Sequence, residues 1–238
     1  MDRRTYLRSL GIAGMAGVAG CLETVPGVGS SRTVLGPPEQ DLSASTHPTH
    51  GDEFPSLSLP DPLLGEEVST EGFEGERAFL LTFIYTNCHD DSCPMLLSRL
   101  AHAQHDAIDG GYADETAFLA MTFDPDRDTE DTLREEAEIQ DVDLEAGNWH
   151  FLRPENFFEA RDILDEKFGL TLRNEALEDH DHNETDDDGD DLEGEYDIVH
   201  YNLILLVNKD GIVERAYPNA TSVEWSTISD DLGTVVEG

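Results

Sequence analysis

Two cysteines, at positions 88 and 93, lie close together in the chain, and a proline directly follows the second. They come after an apolar, aromatic and β-branched run at residues 78–85, which predicts a buried strand, while Pro94 favours the first turn of a helix. The unpaired N–H groups at a helix start stabilise a thiolate. Two thiols on such a loop make either a redox-active dithiol or half of a soft-metal site. A static disulfide is a third possibility, but it would close a loop too small to give much entropic stabilisation.

The segments around the cysteines alternate between strand and helix patterns. A second buried strand is predicted at 116–123, and between the two strands the apolar residues fall on one helical face, at Leu96, Leu100, Ala103 and Ala107. Strands separated by helices and ending in a hairpin predict an α/β domain with a central mixed β-sheet flanked by helices. The remaining predicted elements are a helix from Thr129, a strand at 149–152, a helix from Pro154, a hairpin at 202–217 and a helix at 223–232.

One long segment does not fit this alternation. Residues 178–197 contain 12 carboxylates and no apolar run, so they predict a solvated acidic insertion before the last hairpin. His180 and His182 lie within it, and three interpretations of the segment stay open. The histidines recruit copper, the carboxylates bind calcium-type cations, or the whole insertion is a solvated surface.

Three motifs in order resemble the Sco/SenC family of copper-handling proteins. They are Thr86-Asn87-Cys88 with Cys93-Pro94, the stretch FDPDRDT at 123–129, and the stretch at 197–211 that contains His200. The resemblance covers roughly residues 54–236 and implies a thioredoxin-like fold, with Cys88, Cys93 and His200 as copper ligands. It further implies a copper chaperone that serves the dinuclear copper centre of a haem-copper respiratory oxidase or another cuproprotein.

The cysteine motif departs from the family pattern in one respect. The family usually has three residues between the cysteines and a proline after the first, whereas four residues separate Cys88 from Cys93 and His89 replaces that proline. His89 is therefore a candidate additional ligand, with an exposed imidazole as the alternative. The wider spacing also favours a second function, an extracytoplasmic thiol–disulfide oxidoreductase that keeps partner cysteines reduced for metallation. A tethered module that has lost both roles is the third alternative.

The amino-terminal residues predict an export signal. Arg3 and Arg4 precede a short run of small and apolar residues that ends at Cys21. Residues 1–20 therefore resemble a twin-arginine lipoprotein signal, with Cys21 lipidated and the protein anchored on the extracytoplasmic side of the cell membrane. A plain secretory signal is the alternative. Because residues 21–52 are rich in Gly, Ser, Thr and Pro, they predict a flexible tether, which leaves 53–238 as the folded domain.

The charge of the chain bears on its partners and its environment. Its 53 acidic and 14 basic residues give a formal net charge of −39. This excess excludes nucleic acid as a partner, because a phosphate backbone is bound by clustered Lys and Arg. Such an acidic surface is typical of a protein from a halophile, since concentrated salt screens the self-repulsion.

Overall fold

The computed structural model describes residues 32–88, 92–174, 198–199 and 202–238. The α/β prediction is confirmed: a mixed β-sheet carries helices between its strands. The strands are β1 (Ser58–Asp61), β2 (Glu66–Ser69), β3 (Ala78–Ile84), β4 (Thr116–Thr122), β5 (Trp149–Leu152), β6 (Arg173–Asn174), β7 (Ile198–Val199), β8 (Leu203–Val207) and β9 (Val213–Pro218). The α-helices are α1 (Ser92–Gly110), α2 (Glu130–Ile139), α3 (Phe157–Phe168) and α4 (Trp225–Glu237).

The central sheet has the strand order β5-β4-β3-β8-β9. Strands β3, β4 and β5 run parallel to one another, and β8 is antiparallel to both of its neighbours, β3 and β9. The register places Leu81 of β3 opposite Leu119 of β4 on one side and Leu205 of β8 on the other. The start of β8 therefore lies at the same edge of the sheet as the end of β3. The chain leaves β3 at this edge and continues into residues 85–88, called here the cysteine loop.

Burial explains why these segments form a central sheet. Every residue of β3, β4 and β8 is buried, as their continuous apolar sequences predict for strands covered on both faces. Helix α1 buries the predicted face of Leu96, Leu100, Ala103 and Ala107, and it packs against α4. Helix α2 begins after Thr129, whose side chain accepts a hydrogen bond from the Thr132 N–H and so caps the helix.

A hairpin formed by β1 and β2 was not predicted from the sequence. Its strands pair antiparallel, with Leu59 opposite Val68, and only these apolar side chains and Asp61 are buried in the two strands. Each strand is four residues long, and the first contains Pro60, a residue that is rare in strands. Such short strands carry too little alternation to be distinguished from a loop by sequence.

The tether prediction for 21–52 is wrong from residue 32 onward. Residues 32–53, called here the N-terminal segment, lie against the domain along β9. The N–H groups of Val34 and Leu35 donate to the two carboxylate oxygens of Glu214, at 2.8 and 2.9 Å. At the other end of the segment, the Gly51 N–H donates to the Val213 carbonyl at 2.9 Å. Backbone hydrogen bonds to the domain therefore hold a stretch whose composition predicts flexibility.

Several predictions concern residues outside the described part of the chain. The signal at 1–20, Cys21, the tether from 21 to 31 and the acidic insertion at 178–197 are among them. In the part of the chain that the structure describes, no helix is both long and apolar enough to cross a membrane.

Candidate metal centre

Cys88 lies between the end of β3 at Ile84 and the start of α1 at Ser92, and Cys93 is the second residue of α1. The Cys93 side chain is buried at 1 % exposure, and that of Cys88 is half-buried at the edge of the core. Both are present as thiols. The Cys93 N–H donates to the Cys88 sulfur at 3.4 Å, and the Ser92 hydroxyl oxygen lies 3.4 Å from the same sulfur. The structure therefore places the Cys88 sulfur at the first turn of α1, as the sequence predicts.

This arrangement suits a sulfur that carries negative charge. The first N–H groups of a helix have no partner within the helix, and they present partial positive charge. Here one of them points at the Cys88 sulfur, and helix α1 behind it is 19 residues long. A thiolate at Cys88 would therefore be stabilised at the same helix start that carries Cys93.

The buried carboxylate of Asp128 forms hydrogen bonds with Thr86, the second residue of the cysteine loop. Its Oδ1 accepts hydrogen bonds from the Thr86 N–H, at 3.0 Å, and from the Thr86 hydroxyl, while its Oδ2 accepts from the Thr122 hydroxyl. Thr86 is two residues from Cys88, so Asp128 fixes the backbone where the loop leaves β3. Burial raises the pKa of Asp128 to about 6, the hydrogen bonds from Thr122 and Thr86 oppose that rise, and the nearby Asp124 adds to it.

The rest of the 123–129 stretch supports the same loop. The Arg127 guanidinium forms an ion pair with the fully buried Asp124 and lies 5.9 Å from the ring centroid of Tyr85. Arg153 of the segment after β5 donates from Nε to the carbonyls of Pro125, at 3.1 Å, and Asp128, at 3.0 Å. In the sequence this stretch is recognisable only as a family motif. In the structure its acidic and basic residues form the ion pair and the hydrogen bonds that support the cysteine loop.

The predicted third ligand, His200, lies outside the described residues, as do His89, His180 and His182. Asn202, two residues after His200 in the chain, is described and directly precedes β8. The Thr82 hydroxyl of β3 donates to the Leu203 carbonyl at 2.9 Å, which joins this point to the strand that leads to the cysteines. Within residues 32–88, 92–174 and 202–238, no group of three or more His, Cys, Asp or Glu side chains is arranged to hold a metal ion.

The histidines that the structure does describe near α1 and β5 have other contacts. His102 on α1 packs its ring against Trp225, with the ring centroids 5.2 Å apart, and His105 lies 2.7 Å from the Asp141 carbonyl. His150 is buried in β5, where its Nδ1 lies 3.5 Å from the Asp61 carboxylate.

Comparison with known proteins gives the same family as the sequence motifs. The SCO1/SenC family model matches residues 62–147. A SCO1 protein homolog of Bacillus subtilis (strain 168) is 23% identical over 168 residues, which are 71% of this chain and 75% of that protein. The resemblance predicted from the three motifs is therefore confirmed.

Solved structures show that the fold is shared as well. BsSco, described as a member of the Sco family of cytochrome c oxidase assembly proteins, superposes with a TM-score of 0.57 at 20% identity, covering 80% of this chain and 95% of its own. A SCO1/SenC family lipoprotein of Bacillus anthracis gives 0.56 at 17% identity, covering 77% and 94%. Bradyrhizobium japonicum ScoI with copper bound gives 0.55 at 21% identity, covering 77% and 99%. The thioredoxin-like fold predicted for this chain is confirmed.

Proposed function

We propose that this chain, whose residues 62–147 belong to the SCO1/SenC family, is a copper chaperone that holds its cargo with Cys88, Cys93 and His200. The observation that carries the proposal is the pair of thiols at one helix start, with the Cys88 sulfur accepting the Cys93 N–H. Similar proteins that have been solved include one with copper bound and one described as a cytochrome c oxidase assembly protein.

The chemistry of the donors supports copper as the cargo. Cu(I) prefers soft thiolate ligands, and Cu(II) accepts imidazole together with thiolate, so two cysteines and a histidine hold either state. A structural zinc site normally has four protein ligands, and three are proposed here. Because Cys88 is only half-buried whereas Cys93 is buried, the Cys88 side is the one from which an acceptor can take the ion.

The setting of this activity is the extracytoplasmic face of the cell membrane. Cys21 would carry the lipid, and a SCO1/SenC lipoprotein is among the similar solved structures. The recipient would be the copper-centre subunit of a respiratory oxidase or another cuproprotein. The high negative charge would keep the domain hydrated in the concentrated salt of a halophile's surroundings.

The second candidate function is a thiol–disulfide oxidoreductase. The stabilised sulfur of Cys88 favours it, since a thiolate is the attacking species. In that reaction the Cys88 thiolate attacks a partner disulfide and releases one partner thiolate, and Cys93 then displaces the other. The partner is reduced by two electrons while Cys88 and Cys93 form a disulfide. His200 has no role in this scheme, and it therefore discriminates between the two functions.

The test is an anaerobic Cu(I) competition titration, with sulfate as the salt because chloride itself complexes Cu(I). We expect Cys88→Ser, Cys93→Ser and His200→Ala each to weaken Cu(I) binding by more than roughly 100-fold, the upper end of what loss of a group supporting a ligand costs. His102→Ala is the control, because His102 lies on α1 but contacts Trp225. A Cys88→Ser protein that binds Cu(I) as tightly as the wild type would contradict the proposal. Full disulfide exchange by a His200→Ala protein whose copper binding is unchanged would favour the oxidoreductase.

A further inference from the structure

Arg99 is a charged side chain buried in the middle of α1. Only 6 % of it is exposed, and its guanidinium forms hydrogen bonds with main-chain carbonyls. Burying a charge is costly unless its donors are satisfied. An arginine with this environment holds main-chain segments together by several donors of fixed geometry.

The carbonyls that Arg99 binds belong to the segment between β9 and α4. Nε and Nη2 donate to Val223 at 3.2 and 3.1 Å, and Nη2 also donates to Thr221. The fourth bond, from Nη1, goes to Met95 of the first turns of α1 at 3.1 Å. Arg99 therefore ties the helix that carries Cys93 to residues 221–223.

Val223 is joined in turn to Ala220, since its N–H donates to the Ala220 carbonyl at 3.1 Å, and residues 220–223 (the 220–223 segment) contact the residue before β8 through Ala220. The Ala220 N–H donates to the Asn202 carbonyl at 2.8 Å. Asn202 is two residues after His200 in the chain. Hydrogen bonds through the 220–223 segment thus connect the cysteine-bearing helix to the backbone two residues after the third proposed ligand.

The geometry points to Arg99 as a positioning residue of the copper site, which fixes the helix that carries Cys93 relative to Asn202, two residues after His200 in the chain. This inference rests on the proposed function. The four hydrogen bonds of Arg99 go to Met95, Thr221 and Val223 and not to a cysteine, so Arg99 would act through the 220–223 segment. Loss of its bonds would leave the cysteine pair intact and alter how well the histidine completes the ligand set.

Gln104 of the same helix provides a matched control. It is fully buried and also makes three side-chain hydrogen bonds, but these go to Asp143 and Asn148, on the side of the helix away from the 220–223 segment. A Gln104→Met variant loses three side-chain hydrogen bonds from a buried position of the same helix, against four in an Arg99→Met variant. Methionine is a good helix former and is flexible enough to fill either site.

The experiment compares the full chain with Arg99→Met, Arg99→Lys, Gln104→Met and His200→Ala in Cu(I) competition titrations, Cu(II) absorption spectra and thermal unfolding. We expect Arg99→Met to weaken Cu(I) binding by roughly 10–100-fold, the range for a group that orients a ligand, and to shift the thiolate-to-Cu(II) band. Gln104→Met should lower the melting temperature but leave binding and the band unchanged. Arg99→Lys, which keeps the charge without the planar fork, should bind with intermediate affinity.

A double-mutant cycle with His200→Ala identifies the route of the effect. If Arg99 acts through His200, the double variant binds Cu(I) no more weakly than His200→Ala alone; additive losses would overturn the inference. Wild-type affinity in Arg99→Met, or equal losses in Arg99→Met and Gln104→Met, would also overturn it while the proposed function stands. If Arg99→Met does not fold, the Arg99→Lys variant decides. Wild-type Cu(I) affinity together with an unshifted thiolate-to-Cu(II) band in Arg99→Lys would overturn the inference about Arg99. A wild-type protein that binds no copper would overturn both.

Discussion

Two carboxylates on opposite sides of the domain, Asp128 and Glu214, are both fully buried, and each holds a neighbouring segment of chain. Asp128 holds Thr86, at the root of the cysteine loop. Glu214 holds Val34 and Leu35, in the N-terminal segment. They differ in their donors, and this difference decides what each contact tolerates.

Hydroxyl groups provide two of the three donors to Asp128, from Thr86 and Thr122. A hydroxyl can turn and accept a hydrogen bond, so this site can accommodate a proton on the carboxyl group. Among the described residues, the hydrogen-bond donors to Glu214 are N–H groups, from Val34, Leu35 and the Asn208 side chain. An N–H group cannot accept, so every partner of Glu214 requires an acceptor. The contact at the cysteine loop is therefore adaptable, because it tolerates a protonated carboxyl group. The contact at the N-terminal segment is rigid, because it requires a carboxylate.

The largest expected effect is that of Glu214→Gln. One oxygen of the glutamine can accept from Val34 and Asn208, but its NH₂ group then meets the Leu35 N–H, and the reversed amide creates two such conflicts. Because a hydrogen bond to a charged group contributes about 1.5–3 kcal/mol and an unsatisfied buried group costs a similar amount, we expect a loss of about 3 kcal/mol in unfolding free energy. Denaturant titration at fixed high salt measures it, and hydrogen exchange at Val34 and Leu35 localises it.

Glu53→Gln is the control for that variant. Glu53 is paired with Arg32 at 2.8 Å, but its side chain is 79% exposed, so its removal should cost less than about 1 kcal/mol. If Glu214→Gln were as stable as Glu53→Gln and still protected the two amides from exchange, the contrast between rigid and adaptable contacts would fail.

A smaller effect is expected where the N-terminal segment passes the end of α3. A Cβ atom at Gly169 would lie 2.5 Å from the Thr46 carbonyl oxygen, and the φ of this glycine is +62°. Gly147 has a similar φ of +69°, but nothing lies within 4 Å of a Cβ there. Both alanine substitutions should lower the unfolding free energy by about 1 kcal/mol because of the left-handed backbone. Gly169→Ala should lower it by roughly 1 kcal/mol more, because the Thr46 carbonyl must move away from the new methyl group.

Denaturant titration of Gly169→Ala and Gly147→Ala compares their unfolding free energies, and hydrogen exchange across residues 32–53 shows whether the N-terminal segment is affected. Faster exchange in the N-terminal segment should accompany Gly169→Ala alone. Equal destabilisation by the two substitutions, with no change in exchange, would mean that the segment does not lie against Gly169 in solution.

The contrast also shows where sequence patterns stop being informative. The cysteine loop was predictable because its strand and helix are local patterns: β3 is a continuous apolar run, and Pro94 marks the start of α1. The position of the N-terminal segment was not predicted, because the amino-acid composition of a segment does not show which distant residues it contacts. Val34 and Leu35 are held through main-chain N–H groups by a glutamate 179 or more residues away. The support by Asp128 was missed for a similar reason, since the bond to Thr86 spans 42 residues.

The smallest expected effect is a change in pH dependence in Asp128→Asn. The folded protein raises the pKa of Asp128 from 3.8 to about 6, chiefly by burial, so the folded state holds this proton more tightly than the unfolded state. The resulting stabilisation is complete below about pH 4 and is lost as the pH rises through 6. Between pH 5 and pH 7 the loss amounts to about 1 kcal/mol. The asparagine carries no titrating proton, and its NH₂ group can donate to a reoriented Thr122 hydroxyl.

The quantity to measure is the difference in unfolding free energy between wild type and Asp128→Asn, at pH 5, 6 and 7 in the same salt. The many other carboxylates titrate in both proteins and cancel in this difference. It should fall by about 1 kcal/mol across the range as the wild type loses its advantage, whereas the difference between wild type and Asp131→Asn, at an exposed position of α2, should stay constant. A constant difference for Asp128→Asn would mean that Asp128 stays ionised in the folded protein. The contact below the cysteine loop would then be as dependent on charge as the one at Glu214, and the distinction between them would disappear.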